Sequence, residues 1–229
     1  MKIAKLLLLL LAAAVSSNAA TLTYSGSVSL QRTNWSQTIN LPQFDPALGT
    51  LNSITFSLST YAEGICFGEN GSVSSPTSLT LQLEAEVKMK NGSNLLAGTY
   101  HGFCNETIDV SVGEGLTGPL PIFGFTIPGF NGTGPDAAWR ITQSSESNSN
   151  TIFSGFSPYE GLGTIPFTIG ASAISKSSGG GNTLFMYQVK VQADASVVYD
   201  YTPVPEPSGI FTVLAGLGSA AGIFIRRKQ

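Results

Sequence analysis

The chain has 229 residues, with 11 Lys+Arg against 14 Asp+Glu and a single histidine, for a net charge of −3. Charged residues make up only 11% of it, and Ser, Thr, Asn and Gly are abundant, so the surface is mostly hydroxyl and amide and a helix-built enzyme is disfavoured. Five of the eleven cations (Lys2, Lys5, Arg226, Arg227, Lys228) lie at the two ends, leaving six against fourteen acids, a net −8, over residues 21–225, which excludes a basic patch for nucleic acid or anionic lipid.

Residues 1–20 predict a cleaved secretory signal. Lys2 and Lys5 precede an apolar run from Leu6 to Val15, and small residues follow from Ser16 to Ala20. Cleavage after Ala19 places Ser17 at position −3, where signal peptidase needs a small side chain. The alternative, a retained anchor or buried helix, is disfavoured because the run is too short to span a bilayer comfortably.

The body, residues 21–202, is long enough for one domain with a real core. Its first run, Leu22 to Gln31, places Leu22, Tyr24, Val28 and Leu30 on one strand face. Asn34-Trp35-Ser36 then leads to Leu41-Pro42-Gln43-Phe44-Asp45-Pro46-Ala47-Leu48-Gly49-Thr50-Leu51. In this segment Phe44 can anchor in a core, Asp45-Pro46 opens a turn, and Gly49 can take positive φ to end it. The segment resembles the opening of the choice-of-anchor E domain, with Trp35, Phe44, Asp45, Pro46 and Gly49 as the matching residues, over residues 22–60. That resemblance implies surface display and brings no catalytic residues with it.

Further strands follow. Leu51 to Leu58 places Ile54, Phe56 and Leu58 together, and Leu79 to Lys90 alternates almost without fault, with Leu79, Leu81, Leu83, Ala85, Val87 and Met89 inward. Phe185 to Tyr201 alternates again, and Thr107–Val112, Ala138–Thr142, Thr151–Ser154 and Ile165–Ser172 are shorter candidates. Ser144 to Asn150 and Ser177 to Gly181 read as loops from their composition. Gly115 to Pro135 is rich in Gly and Pro yet carries Phe123, Phe125 and Phe130; a crossover packed on the sandwich edge is favoured over an exposed apolar contact loop. Cys66 and Cys104 are expected to pair, because export passes an oxidising compartment; two unrelated buried thiols are the alternative. With no helical period in the body and turns at Asn91-Gly92, Asn131-Gly132, Gly134-Pro135 and Ser157-Pro158, the fold predicted is all-β: one antiparallel β-sandwich or jelly-roll-like domain.

The C-terminal segment, residues 203–229, has three parts in order. Val204-Pro205-Glu206-Pro207-Ser208 is extended and exposed because its prolines exclude a helix. Gly209 to Ile225 is uncharged, and at about 1.5 Å per residue spans roughly 25 Å, the low end for one transmembrane helix. Arg226, Arg227 and Lys228 follow as a stop-transfer cluster that stays cytoplasmic. This order resembles the PEP-CTERM sorting signal of Gram-negative bacteria. The resemblance implies an exosortase, a membrane-embedded cysteine transpeptidase-like enzyme, as processing partner after signal peptidase. It also implies transient single-pass residence in the inner membrane, cleavage near the motif, and transfer to the cell surface or matrix.

The search for catalytic chemistry ends without a constellation. His101 alone cannot build a zinc site with the two cysteines, no G-x-S-x-G elbow occurs, and Glu84 and Glu86 read as one solvated strand face. No calcium loop of the D-x-D-x-D-G type is present. No catalytic residue, metal ligand or cofactor is therefore expected, while calcium at an irregular sandwich loop stays open. Sequons at Asn34, Asn70, Asn91, Asn105 and Asn131 read, beside a bacterial sorting tail, as turn chemistry. Three functions remain: a structural or interaction protein of the envelope or exopolysaccharide matrix, a carbohydrate-binding module in which Trp35, Trp139, Tyr61, Tyr100 or Tyr159 stack on sugar rings, and, least favoured, an enzyme.

Overall fold

The structure, a computed structural model, describes residues 19–120 and 126–204. The expected leader, the sorting motif beyond Val204, the apolar segment, the basic cluster, Phe123 and Phe125 lie outside those residues. Eight strands form in chain order: β1 (Ala20–Arg32), β2 (Trp35–Pro42), β3 (Gly49–Asn70), β4 (Thr77–Asn91), β5 (Asn94–Val110), β6 (Ala137–Ile152), β7 (Thr164–Ser178) and β8 (Thr183–Pro203). Two single 3₁₀ turns, Pro46–Leu48 and Ser157–Tyr159, are the helical elements among the described residues.

The strands make two four-stranded antiparallel sheets, ordered β1-β8-β3-β6 and β2-β7-β4-β5. β1 pairs with β8, β2 with β7, β3 with β6 and β4 with β5, as when one long hairpin is rolled up, which is the strand order of a jelly roll. The predicted β-sandwich is therefore present. Its core lies between the sheets, where β4 contributes Leu79, Leu81, Leu83, Ala85, Val87 and Met89, all at most 1% exposed. Against them stand Ile54, Phe56 and Leu58 of β3 and Val191, Val197 and Tyr199 of β8. Each fully buried large apolar side chain stabilises the fold by about 1.5–3 kcal/mol.

Four register shifts interrupt the ladders, and two of them reposition core candidates. In β5 the register passes from Leu83↔Cys104 to Glu84↔Gly102, so Phe103 is the extra residue and both Phe103 and Cys104 point inward. The Phe103 ring takes the space over Gly64, where a Cβ would collide with it. Cys104 meanwhile reaches Cys66, two residues further along β3, and the two form a disulfide that joins the sheets. The expected bridge is thus formed. In β1 a shift between Val28 and Gln31 moves Leu30 off the core face, so Leu30 is 36% exposed, contrary to its expected place beside Val28.

A second correction concerns Ser144 to Asn150, expected to be a loop. These residues are the middle of β6, paired with β3 from Ile54↔Ile152 to Glu69↔Ala137. Backbone pairing with a long, apolar neighbour carries this polar edge strand, and Ala138–Thr142 and Thr151–Ile152 are parts of the same element. Likewise the strand beginning near Leu51 runs on to Asn70, and the one ending near Val112 begins at Asn94.

The connection from β5 to β6 crosses the outer face of the first sheet. There Leu120 and Phe130 bury against Phe67 in a satellite core, with Ile127, Trp139, Leu184 and Met186 around it. The packed reading of this Gly/Pro-rich stretch holds for Phe130, which is 7% exposed.

Candidate functional site

The residues of the choice-of-anchor-like segment gather at one end of the sandwich. Phe44 is fully buried, its ring 5.1 Å from that of Tyr201 and 5.8 Å from that of Tyr199. Its backbone N–H donates to Tyr159 O at 2.9 Å. Asp45 accepts the Ala47 N–H at 2.9 Å and so caps the 3₁₀ turn that Pro46 begins. Gly49 ends the turn at φ 156°, and a Cβ there would strike the Thr202 carbonyl. Gly49 pairs with Pro203, and Val204 donates its N–H to Leu48 O at 3.0 Å. The segment therefore forms the seat from which the chain leaves the sandwich. Trp35 stands apart from this seat: it pairs with Ala171 and packs on the core, its indole N–H buried without an acceptor. Of the sorting motif, Val204 is described and Pro205, Glu206, Pro207 and Ser208 are not. Among the described residues no helix is long and apolar enough to cross a membrane.

His101 lies between the sheets, 1% exposed. Its Nε2 is 2.8 Å from Thr60 Oγ1 and its Nδ1 is 2.6 Å from Ser144 Oγ, while Thr60 also meets Thr99 Oγ1 at 2.8 Å. Burial pushes the imidazole below its ordinary pKa, and the Glu146 carboxylate partly offsets that. Both ring nitrogens are thus engaged in an interior hydrogen-bond network that joins β3, β5 and β6.

Most of the aromatic residues considered for sugar stacking are engaged. Tyr159 is buried against Phe56, and the Trp139 ring lies 4.3 Å from Phe67 while its Nε1 donates to Gly132 O at 2.8 Å. Tyr61 is half-buried and donates to Glu63. Tyr100 differs, being 56% exposed on the outer face of the second sheet. Gly98 and Gly102 flank it on that face, and its hydroxyl bonds Glu84, whose carboxyl is held below its usual range by Gln82 and Tyr100.

The opposite end of the sandwich brings together three acids that sequence reading does not single out. Glu69, next to last in β3, is 1% exposed, and its two oxygens accept the N–H groups of Asn131 and Gly132 at 3.0 and 2.8 Å. Asp136, 2% exposed, accepts the Glu114 N–H at 3.1 Å. Asn70, fully buried, holds this end together by donating to Ser75 O and Ser111 O, both at 2.8 Å. Positions 69, 114 and 136 are too far apart in sequence for spacing to show the cluster.

No family model matches the chain. No curated protein matches it either. Among solved structures it is similar to the infectious bursal disease virus Gx strain at 13% identity, covering 88% of this chain and 47% of that one, with a TM-score of 0.15. The chain thus spans about half the length of that protein. It is also similar to the turnip yellow mosaic virus structure at 6% identity (85% of this chain, 99% of that one, TM-score 0.20). A third is peanut lectin with a bound 9mer peptide, at 7% identity (78% and 98%, TM-score 0.15). At these TM-scores the likenesses carry no argument about this chain.

Proposed function

We propose that this is an exported, exosortase-processed protein whose β-sandwich serves a structural or interaction role at the bacterial surface or in the exopolysaccharide matrix. One observation carries the reading: the order of Pro205-Glu206-Pro207, the apolar run Gly209 to Ile225 and the Arg226–Lys228 cluster, set directly after the last strand. Two others support it. The Cys66–Cys104 bridge suits an oxidising compartment. The segment resembling the choice-of-anchor E opening seats the very residues from which the tail departs. On this reading the leader is removed after Ala19 or Ala20, and the 209–225 segment crosses the inner membrane as one helix with the basic cluster inside. Signal peptidase and the exosortase are the processing partners, and the domain performs no catalysis.

The test replaces Pro205, Glu206 and Pro207 together by alanine in the native host. The expected outcome is a chain that is exported, loses its leader, and stays uncleaved in the inner membrane. Mass spectrometry of the mature protein decides it: an unchanged C-terminus and location would sink the sorting role. The second reading, a glycan-binding module, draws on the exposed Tyr100 ring, and a glycan array that leaves wild type and Tyr100→Ala alike would remove it.

A further inference from the structure

The acidic cluster at the tip away from Val204 lacks a counter-charge. The three ion pairs among the described residues are Lys88–Glu86, Arg140–Glu106 and Lys190–Glu63, and none reaches Glu69, Glu114 or Asp136. Asp136 Oδ1 is buried and accepts no hydrogen bond. Gly134 has φ 94°, and the place its Cβ would occupy is 2.8 Å from that oxygen and 2.9 Å from Glu114 Oε1. The two carboxylates therefore face one small space that the missing side chain leaves open. Behind them, the Glu69 carboxyl is held above its usual range, first by burial and then by Asp136 and Glu114, against the opposing backbone N–H bonds. Buried carboxylates without a compensating cation are costly, and a bound cation or a shared proton removes the cost.

We propose that Asp136 and Glu114, backed by Glu69, bind a divalent cation of the calcium type. The donors are hard oxygens with no histidine or cysteine, which disfavours zinc and copper. Calcium tolerates irregular shells completed by water and main-chain oxygen, whereas magnesium requires a strict octahedron. No three His, Cys, Asp or Glu side chains among the described residues form a ready metal cage, so two carboxylates ligate directly and Glu69 supplies field. With so few charged ligands the affinity falls in the range of extracellular calcium modules, about 10⁻⁴–10⁻³ M. The ion would tie the start of the β5–β6 crossover, at Glu114, to its end, at Asp136, and so clamp Leu120 and Phe130 over Phe67. The inference stands whether or not the chain is exported.

The experiment uses the full-length chain in detergent, stripped with EDTA. Calcium chloride should raise the Tm in the millimolar range. Terbium should emit on tryptophan excitation, through Trp139 beside Gly132, and calcium should displace it. Glu114→Gln, an exposed position, should weaken binding roughly tenfold by removing ligand charge. Glu86→Gln should leave binding unchanged. Asp136→Asn also disturbs the bond to the Glu114 N–H, so Glu114→Gln is the deciding variant. Equal calcium response in wild type and Glu114→Gln overturns the proposal. So does a wild-type Tm that ignores calcium and rises only on acidification, because the carboxyls then share a proton instead.

Discussion

Between the sheets, the imidazole of His101 sits among Thr60, Thr99 and Ser144, with Glu146 the charged group acting on it. Its folded pKa lies below the unfolded value of about 6.5, so on acidification the unfolded chain takes up its proton first. Stability is therefore full above about pH 6.5 and falls as the pH drops through that value, until the folded imidazole itself is protonated. Glu69 has the opposite sign: its raised folded pKa costs stability as the pH rises past its unfolded value. Thermal melts from pH 7.5 to 5.5 should show Tm falling in wild type and a flatter profile in His101→Gln. An identical slope in the variant would assign the response to another group. Sequence reading denies His101 a zinc site and leaves it a turn or strand residue near Cys104; its partners come from β3, β5 and β6, and no local pattern announces such a network.

At the scale of elements, legibility follows burial of one face. β4 alternates cleanly because its inner residues all enter the core, and its boundaries are readable from the chain alone. β6 is unreadable for the opposite reason: from Ser144 to Asn150 nearly every side chain is exposed, so no apolar period marks it. Leu30 misleads because a bulge shifts the period by one residue. The acidic tip is illegible because the end of β3 and the two ends of the β5–β6 crossover assemble it. The crossover, by contrast, announces itself through aromatic residues in a Gly/Pro-rich stretch. Phe130→Ala should cost about 3 kcal/mol, since it uncovers Phe67 and leaves a void. Urea unfolding measures the cost, and a red shift of tryptophan emission should accompany it as water reaches Trp139. A loss under about 0.5 kcal/mol, the usual scale of surface changes, would mean that the crossover does not seal the satellite core.

For the whole molecule, the covalent link between sheets matters more than any one contact. Cys66 and Cys104 are 38 residues apart, and closing such a loop stabilises the fold by about 4 kcal/mol in the chain-entropy model. Urea unfolding with and without a reductant that reaches the bridge should differ by that amount. Equal midpoints would show that the sandwich closes without it. The termini of the domain add a second global fact. Ala20 pairs with Tyr201, and Pro203 pairs with Gly49, so the chain enters and leaves at one end, with the acidic tip at the other.

The strand that ends at Pro203 is flanked by β1 on one side and β3 on the other. A pull on the chain at Val204, directed away from the acidic tip, runs along that strand. The two hydrogen-bonded ladders lie perpendicular to the pull and share it in shear, where an edge strand peeled sideways would give way one rung at a time. Drag from surrounding polymer on a tethered sandwich would thus meet the domain along its mechanically stiffest direction.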